Sequence, residues 1–188
     1  MVRICFMPFP GGRWSTVAAG LAFCWLCLGG CASGQGGGQP GEGILMPFAV
    51  NGWVVGHSAE NEAQRIQEWV RPGQTVDNWT ELLTVQTFNK AVGLATVEDH
   101  IAAHRKDVAA RCPGSTLEVI GQQPDGILYE LRVVNCQKGG DEHGLHRVLE
   151  GKWNRFVVQY AIRGASMAPA LRAEWIESLQ TAQIRNLP

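Results

Sequence analysis

The chain has no excess of positive charge. Its 188 residues carry 16 Lys and Arg against 17 Asp and Glu, and the basic residues are scattered among the acids. That excludes a nucleic-acid footprint, which needs clustered cations to neutralise phosphates. Short catalytic signatures are missing too. No Gly-x-Ser-x-Gly surrounds Ser58, Ser115, Ser166 or Ser178, and Cys112 and Cys136 lack Cys-x-x-Cys spacing. The glycines of 34–43 precede no strand-to-helix turn of the kind that cradles phosphate. No internal repeat is visible. These absences leave no catalytic residue and no cofactor to assign, and the chain reads as a non-enzyme. The longest apolar run, Trp14 to Leu28, falls short of the roughly 20 residues that a permanent transmembrane helix needs.

That run has another use. Arg3 and Arg13 precede it, small residues follow it, and together they make a secretory leader over 1–30. Leu28-Gly29-Gly30-Cys31 resembles the lipobox of bacterial lipoproteins. The resemblance implies cleavage before Cys31, a diacylglyceryl thioether on its sulfur and an acylated (palmitate-type) amino group. Several acyl chains anchor stably where one binds only marginally. Ala32, where an aspartate would signal inner-membrane retention, implies the outer membrane, facing the periplasm, in a Gram-negative host. Of the six cysteines, Cys5, Cys24 and Cys27 leave with the leader, as do Arg3 and Arg13 but no acid. Residues 31–43 are too rich in glycine to order cheaply and read as a flexible tether. Residues 44–188 make one periplasmic domain.

Within it, Trp53 to His57 is a short apolar run. Glu60 to Trp69 has helix-forming composition, yet the turn-like Arg71-Pro72-Gly73-Gln74 before Trp79 to Phe88 favours two strands. Thr96 and the acids after it open a helix in which Val97, Ile101, His104 and Val108 recur at helical spacing, ended by Pro113. Gln123-Pro124-Asp125-Gly126 is a β-turn between strands at 117–121 and 127–136. In the second, Ile127, Tyr129, Leu131 and Val133 alternate with Glu130 and Arg132, as in a sheet with one wet face. A polar loop over 137–144, strands at 145–149 and 153–162, and a helix led by Pro169 complete the chain. Leu171, Trp175, Leu179 and Ala182 form that helix's apolar stripe. The expected class is α+β, an antiparallel sheet with helices covering one face.

This element order, with Asn78-Trp79-Thr80 entering a strand and Trp175 on a C-terminal helix, resembles the PsbP-like α/β/α sandwich family. That family includes photosystem II extrinsic proteins, a nuclear-import factor that binds the GTPase Ran, and lipoproteins of the DcrB type. The resemblance implies a non-catalytic partner-binding or assembly role and carries over no functional residue. Cystatin-like and NTF2-like folds share several of these elements and stay open.

Four histidines are candidate metal ligands: His100 with His104, one helical turn apart, and His143 with His146 in or beside the polar loop. The run His-Ile-Ala-Ala-His lacks the glutamate of a zincin, and His104 falls on the apolar stripe, so a packed histidine is the simpler reading. Trp69 and Trp79 flank the Pro-Gly loop and are candidates for a contact surface, since tryptophan is enriched at interface centres. Cys112 and Cys136 lie within one residue of facing each other across the hairpin and are expected to form a disulfide, which an oxidising periplasm sustains. The leading expectation is a lipid-anchored lipoprotein that binds an unidentified envelope protein. The alternative is a periplasmic carrier of a small molecule or metal.

Overall fold

The computed structural model describes residues 41–46, 52–136 and 139–187. The leader, the lipobox, Cys31 and most of the expected tether lie outside them.

Strands β2 (Val54–Glu60), β3 (Gln64–Val70) and β4 (Glu81–Asn89) form a meander. Helix α1 (Val97–Arg111) follows, then a second meander of β5 (Thr116–Gln123), β6 (Gly126–Val133), β7 (Glu142–Glu150) and β8 (Asn154–Arg163). The second meander returns β8 to the side of β4, giving one seven-stranded antiparallel sheet in the order β2-β3-β4-β8-β7-β6-β5. Helix α2 (Pro169–Gln180) comes next, and a separate two-stranded sheet pairs β1 (Glu42–Leu45) with β9 (Gln183–Asn186).

Local chemistry accounts for several boundaries. Thr96 accepts the Asp99 N–H and donates its hydroxyl to the Asp99 carboxylate, so the first turn of α1 is closed from both directions. Pro169 opens α2, where its missing N–H costs nothing. Residues 64–70 are strand despite their helical composition. The Asn61 side chain accepts the N–H groups of Ala63 and Gln64 and turns β2 into β3, and cross-strand pairing on both sides then overrides propensity.

The α+β class with a large antiparallel sheet and two helices is what the coordinates contain, but the face of β6 expected to be wet is covered except at Arg132. Ile127, Tyr129, Leu131 and Val133 pack with Ile101 and Val108 of α1, whereas Leu128 packs with Trp175 and Leu179 of α2. Neighbouring residues of a strand point to opposite faces, so the two helices lie on opposite sides of the sheet, not on one. Glu130, expected on the solvated side, is only 6% exposed.

Two further expectations are corrected. The tether does not reach Gly43: Glu42–Leu45 is strand, and Ile44 faces Ile184 beside Leu149, Phe156 and Ala182. The polar loop does not reach Gly144 either, because β7 starts at Glu142 and His143 is fully buried. In both cases one or two polar residues inside a glycine-rich stretch mask a strand whose apolar partners lie far away in sequence.

Candidate functional site

Cys112 ends α1, Cys136 follows β6, and the two are joined by a disulfide with Cα atoms 4.6 Å apart. The missing residue of register is supplied by a β-bulge. Beside the turn Gln123 faces Gly126, but beyond the irregularity between Val119 and Gly121 the pairing has slipped by one, so that Thr116 faces Arg132. Continuing that register brings 112 opposite 136.

The histidines are regrouped. His143 and His146 are three apart on a strand and therefore point to opposite faces. On the α2 side, His143 Nδ1 accepts the Met167 N–H at 2.7 Å, which fixes the proton on Nε2, and that N–H donates to Glu130 at 2.5 Å. On the α1 side, His146 stacks on Tyr129 with ring centroids 4.6 Å apart. His104 meets His146 edge-on at 5.5 Å and places Nδ1 3.0 Å from the Tyr129 hydroxyl. His100 packs against Phe88. Gly144 makes room for this stack, since a Cβ there would lie 2.9 Å from His146 Nε2. Among the described residues no group of three His, Cys, Asp or Glu is placed to hold a metal ion.

Burial, aided by the neighbouring histidine, pushes His104 down to about 4 and His146 well below its usual range. Both are held neutral, so the unfolded chain takes up protons that the folded one does not. Their stabilising effect is complete above about 6.5 and is lost as pH falls from there towards 4. Unfolding free energy should therefore fall by up to about 1.4 kcal/mol per pH unit for each such histidine. Urea titrations at pH 6.5, 5.5 and 4.5 check this, and a His104→Gln variant should show the shallower slope.

The α2 side also holds a carboxylate clamp. Arg172 of α2 reaches across to Glu130 with both Nε and Nη2, at 2.9 and 2.7 Å, while His143 and Arg132 donate from β7 and β6. The Arg172 pair outweighs burial and, with His143, draws the Glu130 carboxyl down to about 2. A second cluster joins the meanders. Arg71 binds Glu81 through two nitrogens, Tyr160 donates to the same carboxylate, and Tyr160 lies flat on Trp175 at 3.8 Å. Trp53 stands edge-on to both rings beneath the Arg71 guanidinium.

The two tryptophans expected at a contact surface are placed differently. Trp79 is 6% exposed in a core with Val70, Leu82 and Ala161, beneath the Arg163 guanidinium. Trp69 is half-buried against the α2-side core. The apolar side chains that do face solvent include Val54 and Val55 of the edge strand β2, the latter 55% exposed, and Trp153 in the β7–β8 turn. That turn is tied to the start of the described chain: the buried Glu42 carboxylate accepts the backbone N–H groups of Lys152, Trp153 and Asn154 at 2.7–2.9 Å. Sequence reading missed Glu42, which sits among glycines and is explained only by a turn 110 residues away.

Arg147 was missed as well. Its side chain is 1% exposed and lies on the α2 side, where Nη2 donates to Gln123 at 2.7 Å and to Asp125 at 2.5 Å. A cavity of about 70 Å³ adjoins it, lined also by Gly121, Gln122, Gln123, Leu128 and Gln180.

No protein-family model matches the chain, and no curated protein does. Among solved structures, the crystal structure of the Ran-binding protein Mog1p of Saccharomyces cerevisiae is similar with a TM-score of 0.41 and 8% identity, over 74% of this chain and 85% of that one.

Proposed function

We propose that the protein is an envelope lipoprotein, lipid-anchored through Cys31, whose PsbP-like α/β/α domain binds or scaffolds a protein partner in the periplasm. The observation that carries this reading is the Cys112–Cys136 disulfide, a bond that persists in oxidising compartments, in a chain whose leader ends on a lipobox.

The partner surface we favour is the edge of the sheet at β2, which no further strand covers among the described residues and where Val54 and Val55 stand exposed before the bulge at Gly56. An unpaired edge offers backbone hydrogen bonds, and two exposed valines add apolar area. A photo-crosslinking residue at position 55, in cells, should give a discrete adduct that Val54→Lys abolishes. Adducts that are absent, or unchanged by Val54→Lys, contradict this surface. Density-gradient separation should recover the protein with the outer membrane, and recovery with the inner membrane contradicts the sorting inferred from Ala32.

A further inference from the structure

Seven large apolar side chains face solvent among the described residues, and four of them, Leu45, Val92, Trp153 and Leu187, stand at one end of the domain. Hydrogen bonds gather them there. The Lys90 N–H donates to the Trp153 carbonyl at 3.0 Å, which brings Val92, two residues on, near the β7–β8 turn. The Glu42 carboxylate holds the same turn, and the Leu187 N–H donates to the Gly41 carbonyl at 2.6 Å. Glu42 and Ile44 point at the domain, so Gly41, Gly43 and Leu45 face away from it. Leu187 lies over the two glycines, 3.4–3.5 Å from where their Cβ atoms would stand. Two cations accompany this surface: Arg185 pairs with Gly43 on the outer face, and the Lys152 ammonium sits 4.4 Å from the centre of the Trp153 ring.

Single exposed apolar residues are ordinary, but a group of four marks a surface that something covers. The core of a protein interface is depleted of lysine, so a lysine lying on the most prominent aromatic ring argues against that occupant. Bilayer headgroups suit both residues. A tryptophan there keeps its body apolar and its indole N–H wet, while Lys and Arg bury their stems and leave their charge among lipid phosphates. The chain also enters the domain at this end. Ten residue steps separate Gly41 from Cys31, and whatever path they take they span at most about 36 Å. A lipid at Cys31 therefore holds this surface within reach of the bilayer, where a contact too weak to bind alone is sufficient.

We infer that this end of the domain, with Trp153 at its tip, is a membrane-contact surface that seats on phospholipid headgroups and turns the start of β2 away from the bilayer. The inference rests on the reading of Cys31 as the lipidated residue. The orientation follows from the register: Val55 shares a cross-strand row with Trp69, Leu83 and Tyr160, and Tyr160 is seven residues, about 23 Å of strand, from Trp153.

The test couples the mature chain, residues 31–188, through the Cys31 thiol to a maleimide lipid in phosphatidylcholine vesicles whose acyl chains carry bromine, a short-range quencher of tryptophan. Cys31 is the one thiol left to couple once Cys112 and Cys136 are bridged. The Trp153 emission, read as the difference between wild type and Trp153→Phe, should fall about twofold relative to unbrominated vesicles. Leu45→Glu combined with Leu187→Glu should remove most of that quenching, because two carboxylates would have to enter the headgroup layer. In the Trp153→Phe background, Val55→Trp should add emission that bromine leaves unchanged. Unquenched Trp153, quenching that survives the two glutamates, or equal quenching at position 55 overturns the proposal. Trp153 emission that varies with protein concentration and not with bromine also overturns it and assigns the surface to a second copy of the chain. Because the maleimide supplies the anchor, none of these outcomes depends on whether cells lipidate Cys31, which palmitate labelling decides separately.

Discussion

Glu130→Gln is expected to cost about 3 kcal/mol of unfolding free energy, a large share of what holds a domain of this size together. Two independent routes give that figure. Breaking a buried ion pair by removing one partner costs about 3–5 kcal/mol, and the lower end applies because Arg172 is one-third exposed and recovers some hydration. A carboxyl brought from 4.5 to about 2 carries about 3 kcal/mol of preferential stabilisation of its ionised form. The sign follows from the lowered value. The contribution is complete above about 4.5 and disappears as pH falls through that value towards 2, so wild type and Glu130→Gln should converge in acid. Urea midpoints at pH 7 and pH 3 check both statements. A constant difference between them would show that Glu130 acts through shape and not charge. Arg172→Gln should cost less, since Glu130 keeps His143 and Arg132.

Loss of the disulfide is the second large effect. The bridge closes a loop with a sequence separation of 24, for which the chain-entropy argument gives about 3 kcal/mol. The pair Cys112→Ala and Cys136→Ala should lower Tm by roughly 6–12 °C in a domain of this length. Reductant should lower the wild type towards the double variant and leave the variant unmoved. The bridge ties the end of α1 to the loop after β6 and so holds that helix over its core. Hydrogen exchange of the last turn of α1 should therefore accelerate more than that of β8. Equal Tm values for the two proteins would contradict a bridge that constrains the unfolded chain.

How much of this was legible in sequence depends on the range over which each feature is decided. The β5–β6 hairpin, the Thr96 cap and the Pro169 start are set by four or five adjacent residues, and the structure places each where those residues indicate. The disulfide was within one residue of reach because the turn type fixes the pairing, and the last residue came from a bulge at Val119–Gly121 that no local signal announces. The failures share one cause. Alternation on β6 correctly separates two faces, but nothing in it says that α2 will cover the second one, so Glu130 read as solvated when Arg172, 42 residues on, neutralises it. Glu42 and β9 depend on pairings across more than a hundred residues, and Arg147 on a cavity formed by three strands and a helix end. His143 and His146 read as one loop cluster because the start of β7 was hidden by glycines. Once the segment is strand, their odd spacing places them on opposite faces.

The proposed lipidation of Cys31 is tested most directly by metabolic labelling in a bacterial host with a radioactive or clickable palmitate. The wild-type chain should take up label and run at the size left by removal of residues 1–30. Cys31→Ser should take up none and accumulate at precursor size. The disulfide, intact in both, provides the control for folding. Label on the Cys31→Ser chain, or an unlabelled wild type processed elsewhere, would contradict the lipoprotein reading.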